Sequence, residues 1–575
     1  MSLNDVDIVV RGGTIYDGSG NPGRIGDVAI RGDRIAAVGD VGAVDARRLI
    51  DADGLAVAPG FINMMSWSNE SLIEDGRSQS DIRQGVTLEV LGEGWSMGPL
   101  TPEMKTEVER RGAGNPLAEY DIEWTTLGEY LRWLERRGVS PNVASFVGAS
   151  TARIHEMGYA ARPASEQELG RMCDLVRDAM AEGALGVASA LIYPPATSSS
   201  TEELVALAGA AAEFDGLYAS HIRSEGERLP EAVDELLEIA RLAGVRAEIY
   251  HLKASGRANW SKLHRAIEMV EAARAEGHAV TADAYPYHFS GTGLDSCIPP
   301  WAHDGGFDAL LDRLKDPTTR ARVLADMRSS TTEWENPFLE TGPDDIVVVG
   351  FRQDALRKLT GRTLAEVASL RGTTPEEAVL DLLVEDDNNV SALFFGMSQD
   401  DVRRVLALPW VSFCSDEESQ APEGIFLKAS PHPRAYGAFA RILGTYVREE
   451  RILPLEEAIR RLTSLPAENL RLDGRGRLLA GAFADVVVFD PAKIRDHATA
   501  EDPHRYSTGV SHVLVNGTPV ISGGEHTGAT PGRFVRGPGA RGSKSAQRAS
   551  PWREPRPLDA RQVTRNRTDR PKPAR

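Results

Sequence analysis

"GLYASHIRSEGERLPEAVDELLEIARLAGVRAEIYHLKASG", residues 216–256, decides the fold. Two short apolar strands, "GLYASHIR" and "RAEIYHLKASG", flank one helical stretch, "LPEAVDELLEIARLAG". Each strand closes on a histidine, His221 in the first and His251 in the second. Outward from this unit the alternation continues. "AVAPGFINM", "GVTLEVLG", "NVASFVG" and "ALGVASALIY" precede it, and "AVTADAYPY" and "WVSFCSD" follow it. About eight strands alternating with helices over this length predict an α/β fold, a (β/α)8 barrel with its chemistry at the C-terminal strand ends.

The connection from "DAYPY" to "WVSFCSD" is far longer than the others and holds helix-like pieces. It is expected to form a lid or small subdomain over about residues 290–405. Outside the barrel, both ends of the chain read as β. "DIVVRGGTIYDGSG" and "GDVAIRGDRIAAVG" alternate early, and "GRLLAGAFADVVVFD" and "VSHVLVNGTPVISGGE" return late. The expected organisation is a small β-sandwich built from residues 1–58 and 466–535, a barrel over 59–465, and a tail over 536–575. From Arg541 the text carries 11 Lys/Arg against 3 Asp/Glu and repeated Pro. That composition predicts a disordered, solvated basic segment.

The chain has 575 residues and a net charge of −19, which argues against nucleic acid or an anionic membrane as main partner. No apolar run reaches the length of a membrane span, and the N-terminus lacks a signal-peptide pattern. Three scattered cysteines, Cys173, Cys297 and Cys414, fit a reducing compartment, so a cytoplasmic protein is expected.

Three strand ends carry groups that bind metals. "YASHIR" ends on His221, "EIYHLK" on His251, and "FCSDEE" on Asp416. Barrel strand ends converge on one axial site, and imidazole with carboxylate is a usual ligand set for Zn²⁺ and related ions. His288, in "AYPYHFSG", either lines the pocket or packs at the lid hinge.

With these residues in hand, the chain resembles the amidohydrolase superfamily and, within it, the D-aminoacylase (N-acyl-D-amino-acid deacylase) family. "GTIYDGSG", "LAVAPGFI", "SHIRSEG", "YHLKASG", "ADAYPY", "SPHPRAYGAF" and "LTSLPAENLRL" carry the likeness, which spans roughly residues 5 to 520. The resemblance implies hydrolysis of a linear amide, plausibly of an N-acyl-D-amino acid, by metal-activated water. It implies His221 and His251 as metal ligands and Asp416 as general base. It places Lys253, Tyr193, Tyr285 and Arg434 at or near substrate contacts. For Arg434 the residue itself allows two readings, a clamp for a substrate carboxylate and an internal salt bridge. A homo-oligomer is also implied, as is a small acylated substrate as partner.

The departures are as informative. Where the family has His-x-His at the end of the first strand, this chain has Met65 and Trp67. The family's ligand Cys falls on Gly94 in "GEGWSMGP", beside Glu93, and a further family His falls on Ala149. One half of a two-metal site is therefore expected to be gone. One divalent ion, zinc first among the candidates, is expected on His221, His251 and Glu93. The other reading of Glu93 is a salt-bridged or helix-capping acid near the barrel mouth, and Glu89, on the same strand face, is the runner-up ligand. Competing functions are an amidohydrolase acting on cyclic amides or dipeptides, and a metal-free binding protein.

Overall fold

The computed structural model describes residues 6–111, 120–330 and 333–541. The basic segment expected to be disordered lies outside them from residue 542 onward.

Eight parallel strands form the barrel. They are Phe61–Asn63, Val86–Leu91, Asn142–Ser145 (continued by Val147–Gly148), Gly186–Ala190, Leu217–His221, Arg246–Ile249, Val280–Ala284 and Val411–Phe413. Every residue in them is buried except Arg246. Strands covered by helices outside and packed side chains inside have no wet face, which is why they read as apolar runs without alternation. The ring closes between the eighth strand and the first. Met64 N donates to the Phe413 carbonyl at 3.4 Å. Asn63 then fastens the seam, accepting from Ser415 N at 2.9 Å and donating to Ser415 Oγ at 2.7 Å.

The helix between the two histidine strands is Leu229–Ala243. Pro230 sits in its first turn, where a missing N–H costs nothing, and Gly244 ends it at φ 64°. Leu229, Val233, Leu236 and Ile239 form its buried stripe against the barrel. Capping boxes set the starts of two further helices, Thr126 with Glu129 and Ser165 with Glu168.

Both chain ends meet in one nine-stranded sheet. The joint is Ala56–Pro59 paired antiparallel with Val486–Phe489. Between the seventh and eighth barrel strands the long connection folds on its own core. A four-stranded antiparallel sheet, Ser290–Gly293, Ser391–Phe394, Ile346–Gly350 and Arg362–Thr363, packs against helices including Phe307–Lys315 and Pro375–Glu385. Among the described residues no helix is long and apolar enough to cross a membrane.

Below the strand ends the barrel holds two buried acids, Glu248 and Asp283. Glu248 accepts hydrogen bonds from Thr281 and, at 3.2 Å, from Asn469 Nδ2. Burial, then the neighbouring Asp283, pushes Glu248 up to about 8. Burial likewise pushes Asp283 up to about 7. A carboxyl group whose folded-state value is raised stabilises the fold most when protonated, so that contribution is lost as pH rises through the raised value. Glu248→Gln keeps an acceptor and cannot ionise. From about pH 5 to 8 the wild-type unfolding free energy, read in urea, should fall more steeply than the variant's by about 1.4 kcal/mol per pH unit. Parallel profiles would contradict this assignment.

Candidate metal centre

His221 is the last residue of the fifth strand, and His251 lies just past the sixth. Asp416 follows the eighth strand and Glu93 the second. His251 has φ 36° and Asp416 φ 53°, left-handed conformations that side-chain-bearing residues avoid. Such strain persists where the surrounding structure holds it, commonly at functional sites. Gly92 and Gly94, at φ 100° and 65°, flank Glu93 and let the chain turn its carboxylate inward. Gly94 cannot carry a thiol here. A Cβ added to it would lie 2.7 Å from the Ala190 Cβ.

These turns bring one carboxylate between two imidazoles. Glu93 Oε1 lies 3.2 Å from His221 Nδ1 and 3.2 Å from His251 Nε2. One donor atom from each of the three side chains lies within 4.8 Å of the other two, and all three residues are buried. Two ligands, each about 2.1 Å from a tetrahedral ion, sit about 3.4 Å apart. The spacing, the burial and the nitrogen–oxygen donor set therefore fit a small divalent cation. Burial alone would raise the Glu93 carboxyl, but hydrogen bonds from both imidazoles hold it down at about 2.

The outer faces of both rings share one further acid, Glu225. Its Oε1 is 3.0 Å from His251 Nδ1, and its Oε2 is 3.7 Å from His221 Nε2. Lys253 Nζ donates to Glu225 at 2.6 Å and lies 2.8 Å from His251 Nδ1. Burial opposes charge on Glu225, yet Lys253 and the two histidines hold its carboxyl well below the usual range. A carboxylate behind a metal-binding imidazole fixes its tautomer and orientation. Sequence reasoning missed Glu225. The available signal was its place in "SHIRSEG", four residues after a strand-end histidine.

Asp416 faces the same cavity and is held from two sides. Arg434 Nη1 donates to Oδ2 at 2.5 Å, and the Trp67 indole Nε1 donates to Oδ1 at 3.2 Å. Arg434 is otherwise committed to Glu417 at 3.4 Å and to the Gly291 carbonyl at 3.2 Å. Of its two readings, the one observed is the internal ion pair. The first strand contributes no imidazole. Met65 is packed in the barrel interior and accepts the Asp416 N–H on its carbonyl, while Trp67 walls the cavity.

The cavity, about 260 Å³, is lined by Glu93, His221, His251, Lys253, Asp416, Arg434 and Tyr193, among others. The Tyr193 hydroxyl bonds Thr292 at 3.0 Å. Tyr285 stands behind this lining, its ring 4.6 Å from the Arg434 guanidinium and its hydroxyl on Met397 Sδ. His288 packs edge-on against Phe289, away from the imidazole pair. Glu89 is tied to Ser66 and Ser78 at 2.8 and 2.5 Å and lies outside the imidazole–carboxylate cluster. Ala149 begins the helix Ala149–Met157.

A histidine–carboxylate cluster at the C-terminal mouth of a (β/α)8 barrel defines a metal-dependent hydrolase. The chain belongs to the amidohydrolase family, whose model matches residues 48–521. A D-aminoacylase from Alcaligenes xylosoxydans xylosoxydans is 35% identical over 546 residues, covering 93% of this chain and 99% of that protein. A D-aminoacylase structure described as having a binuclear metal center superposes with TM-score 0.77 at 33% identity, covering 92% of this chain and 100% of that one. An N-acyl-D-glutamate deacylase from Bordetella bronchiseptica, solved with zinc and a phosphonate mimic of the tetrahedral intermediate, gives TM-score 0.77 at 31% identity, covering 93% and 100%.

Glu225→Gln removes the negative charge behind both imidazoles. It should weaken metal affinity about 10–100-fold, measured by competition with a chromophoric chelator, without changing the number of ions bound. Glu89→Gln should leave the affinity unchanged. Equal affinities in all three proteins would contradict the assigned role of Glu225.

Proposed function

We propose that this amidohydrolase removes the acyl group from N-acyl-D-amino acids with one divalent ion, zinc foremost, held by Glu93, His221 and His251. The observation that carries the proposal is the Glu93 carboxylate oxygen lying 3.2 Å from a nitrogen of each imidazole, with Asp416 on the wall of the same cavity. The kinship with D-aminoacylase and N-acyl-D-glutamate deacylase supports the substrate class.

A bound ion supplies Lewis acidity, activating water and polarising the acyl carbonyl. The chain's own residues do the rest. Asp416 accepts the proton of the attacking water and returns it to the leaving amine nitrogen. The Trp67 indole and the Arg434 guanidinium fix its two oxygens, so the base is oriented before substrate arrives. Lys253 and Arg434 line the same cavity, each ion-paired there, Lys253 to Glu225 and Arg434 to Asp416 and Glu417. A second cavity of about 460 Å³ meets the first at Trp67, Glu93 and Tyr193. Its walls include Trp95, Leu191, Ile192 and Phe307, which provide apolar room for the acyl group.

The first strand supports the single-ion reading. Met65 and Trp67 offer no imidazole, and the indole N–H takes an oxygen of Asp416 that a second cation would need. Asp416→Asn should bind metal as the wild type does and lose at least about 10³-fold in kcat on an N-acyl-D-amino acid, because its proton acceptor is gone. Wild-type turnover in that variant would contradict the general-base role.

A further inference from the structure

The two cavities that meet at the metal centre can serve different halves of the substrate. Among the described residues, Asp416 lines the first cavity and not the second. The proton that Asp416 returns has to reach the leaving nitrogen, so the amine half belongs in the first cavity. An amide held at the junction then sends its acyl half into the second, past Trp67, Glu93 and Tyr193, which line both.

That second cavity is far larger than an acetyl group needs. Its volume is about 460 Å³. A methyl group occupies about as much space as one water, roughly 30 Å³, and would leave nearly all of the cavity to solvent. The solvent would lie against aromatic walls. Trp67, Trp95, Tyr159, Tyr193 and Phe307 all line the cavity, and each is only partly buried. Partly covered aromatic surface gathered in one concavity marks a site for an apolar group.

One wall is a seam between the barrel and the long connection. The Tyr159 and Phe307 rings meet edge to face at 5.7 Å. Gly305 N donates to the Tyr159 carbonyl at 3.2 Å, and Ala161 N donates to Asp304 Oδ1 at 2.8 Å. A Cβ on Gly306 would lie 3.0 Å from the Tyr159 ring, so the seam closes tightly. These contacts set the wall in place without an occupant, and the room is preformed.

We propose that the acyl group removed is large and apolar, an alkyl or arylalkyl group seated in this second cavity. This rests on the deacylase reading above and narrows its acyl half. A group of about seven carbons beyond the carbonyl, at roughly 30 Å³ per carbon, takes up about 200 Å³, which the cavity accommodates.

The test is kcat/KM on the zinc-loaded enzyme for D-leucine carrying acetyl, butanoyl, octanoyl or phenylacetyl. The value should rise about three- to fourfold per added methylene, and at least about 100-fold from acetyl to octanoyl, because burying a methylene contributes about that factor. Phenylacetyl should exceed acetyl by a similar ratio. Octanoyl ahead of phenylacetyl identifies an alkyl occupant, the reverse an aryl one, and either supports the proposal. Calorimetric Kd values on Asp416→Asn, which holds substrate without consuming it, should follow the same order. Ser150 is half-buried and lines the cavity from the first turn of the helix Ala149–Met157. Ser150→Trp should cut the octanoyl-to-acetyl ratio at least about tenfold while acetyl turnover stays within about twofold of wild type. That acetyl turnover reports the fold of the variant, and the wild-type series stands without it. Acetyl turned over as fast as octanoyl and phenylacetyl would overturn the large-acyl proposal and leave deacylation standing. An unchanged ratio in a Ser150→Trp enzyme with wild-type acetyl turnover would overturn the placement in this cavity. Hydrolysis of none of the four, nor of the same acyl groups on D-glutamate, would overturn the deacylase reading as well.

Discussion

A carboxylate buried between two imidazoles is the constraint on which the site is built. Glu93 reaches that position only because glycines at 92 and 94 turn the chain with positive φ, and because Gly94 packs against Ala190 without a side chain. An isolated carboxylate at this depth would cost several kcal/mol. Its compensation comes from His221 and His251, whose own outer nitrogens face Glu225, which in turn is matched by Lys253. The three strand ends that contribute these residues are therefore coupled electrostatically as well as by packing.

The first barrel strand supplies no imidazole to the site, carrying Met65 and Trp67 instead. The relatives with a binuclear centre and this chain share a fold over more than nine-tenths of its length. Here Trp67 and Arg434 hold the oxygens of Asp416, so the acid at the end of the eighth strand stays oriented by an N–H and a guanidinium. Met65 fills the barrel interior and lends only its carbonyl to the Asp416 N–H. The ends of the first and second strands are bound together by a polar network instead, with Glu89 accepting from Ser66 and Ser78, and Ser419 N donating to Ser68 Oγ at 2.7 Å.

Much of the fold was legible because fully buried parallel strands leave unbroken apolar runs, and because each run here is followed by a helical stretch. "GLYASHIR" and "RAEIYHLKASG" placed two histidines at neighbouring strand ends on that basis alone. The family likeness supplied the roles and exposed the gap at Met65 and Trp67. What remained hidden was set by backbone turns and long-range pairing. Nothing in "GEGWSMGP" distinguishes a ligand Glu93 from a capping acid until the φ values of its flanking glycines are known. Glu225 was overlooked although it lies four residues after His221, because its closest partners, His251 and Lys253, come from the next strand. Arg434 lies 18 residues beyond Asp416, and sequence spacing does not reveal that the two form an ion pair.

Elemental analysis of the protein purified without added metal or chelator, alongside Glu93→Ala, tests most directly whether one metal ion sits on Glu93, His221 and His251. About one equivalent of a transition metal in the wild type and less than about one-tenth in the variant is the result the geometry predicts. Two equivalents in the wild type, or an undiminished one in Glu93→Ala, would contradict it.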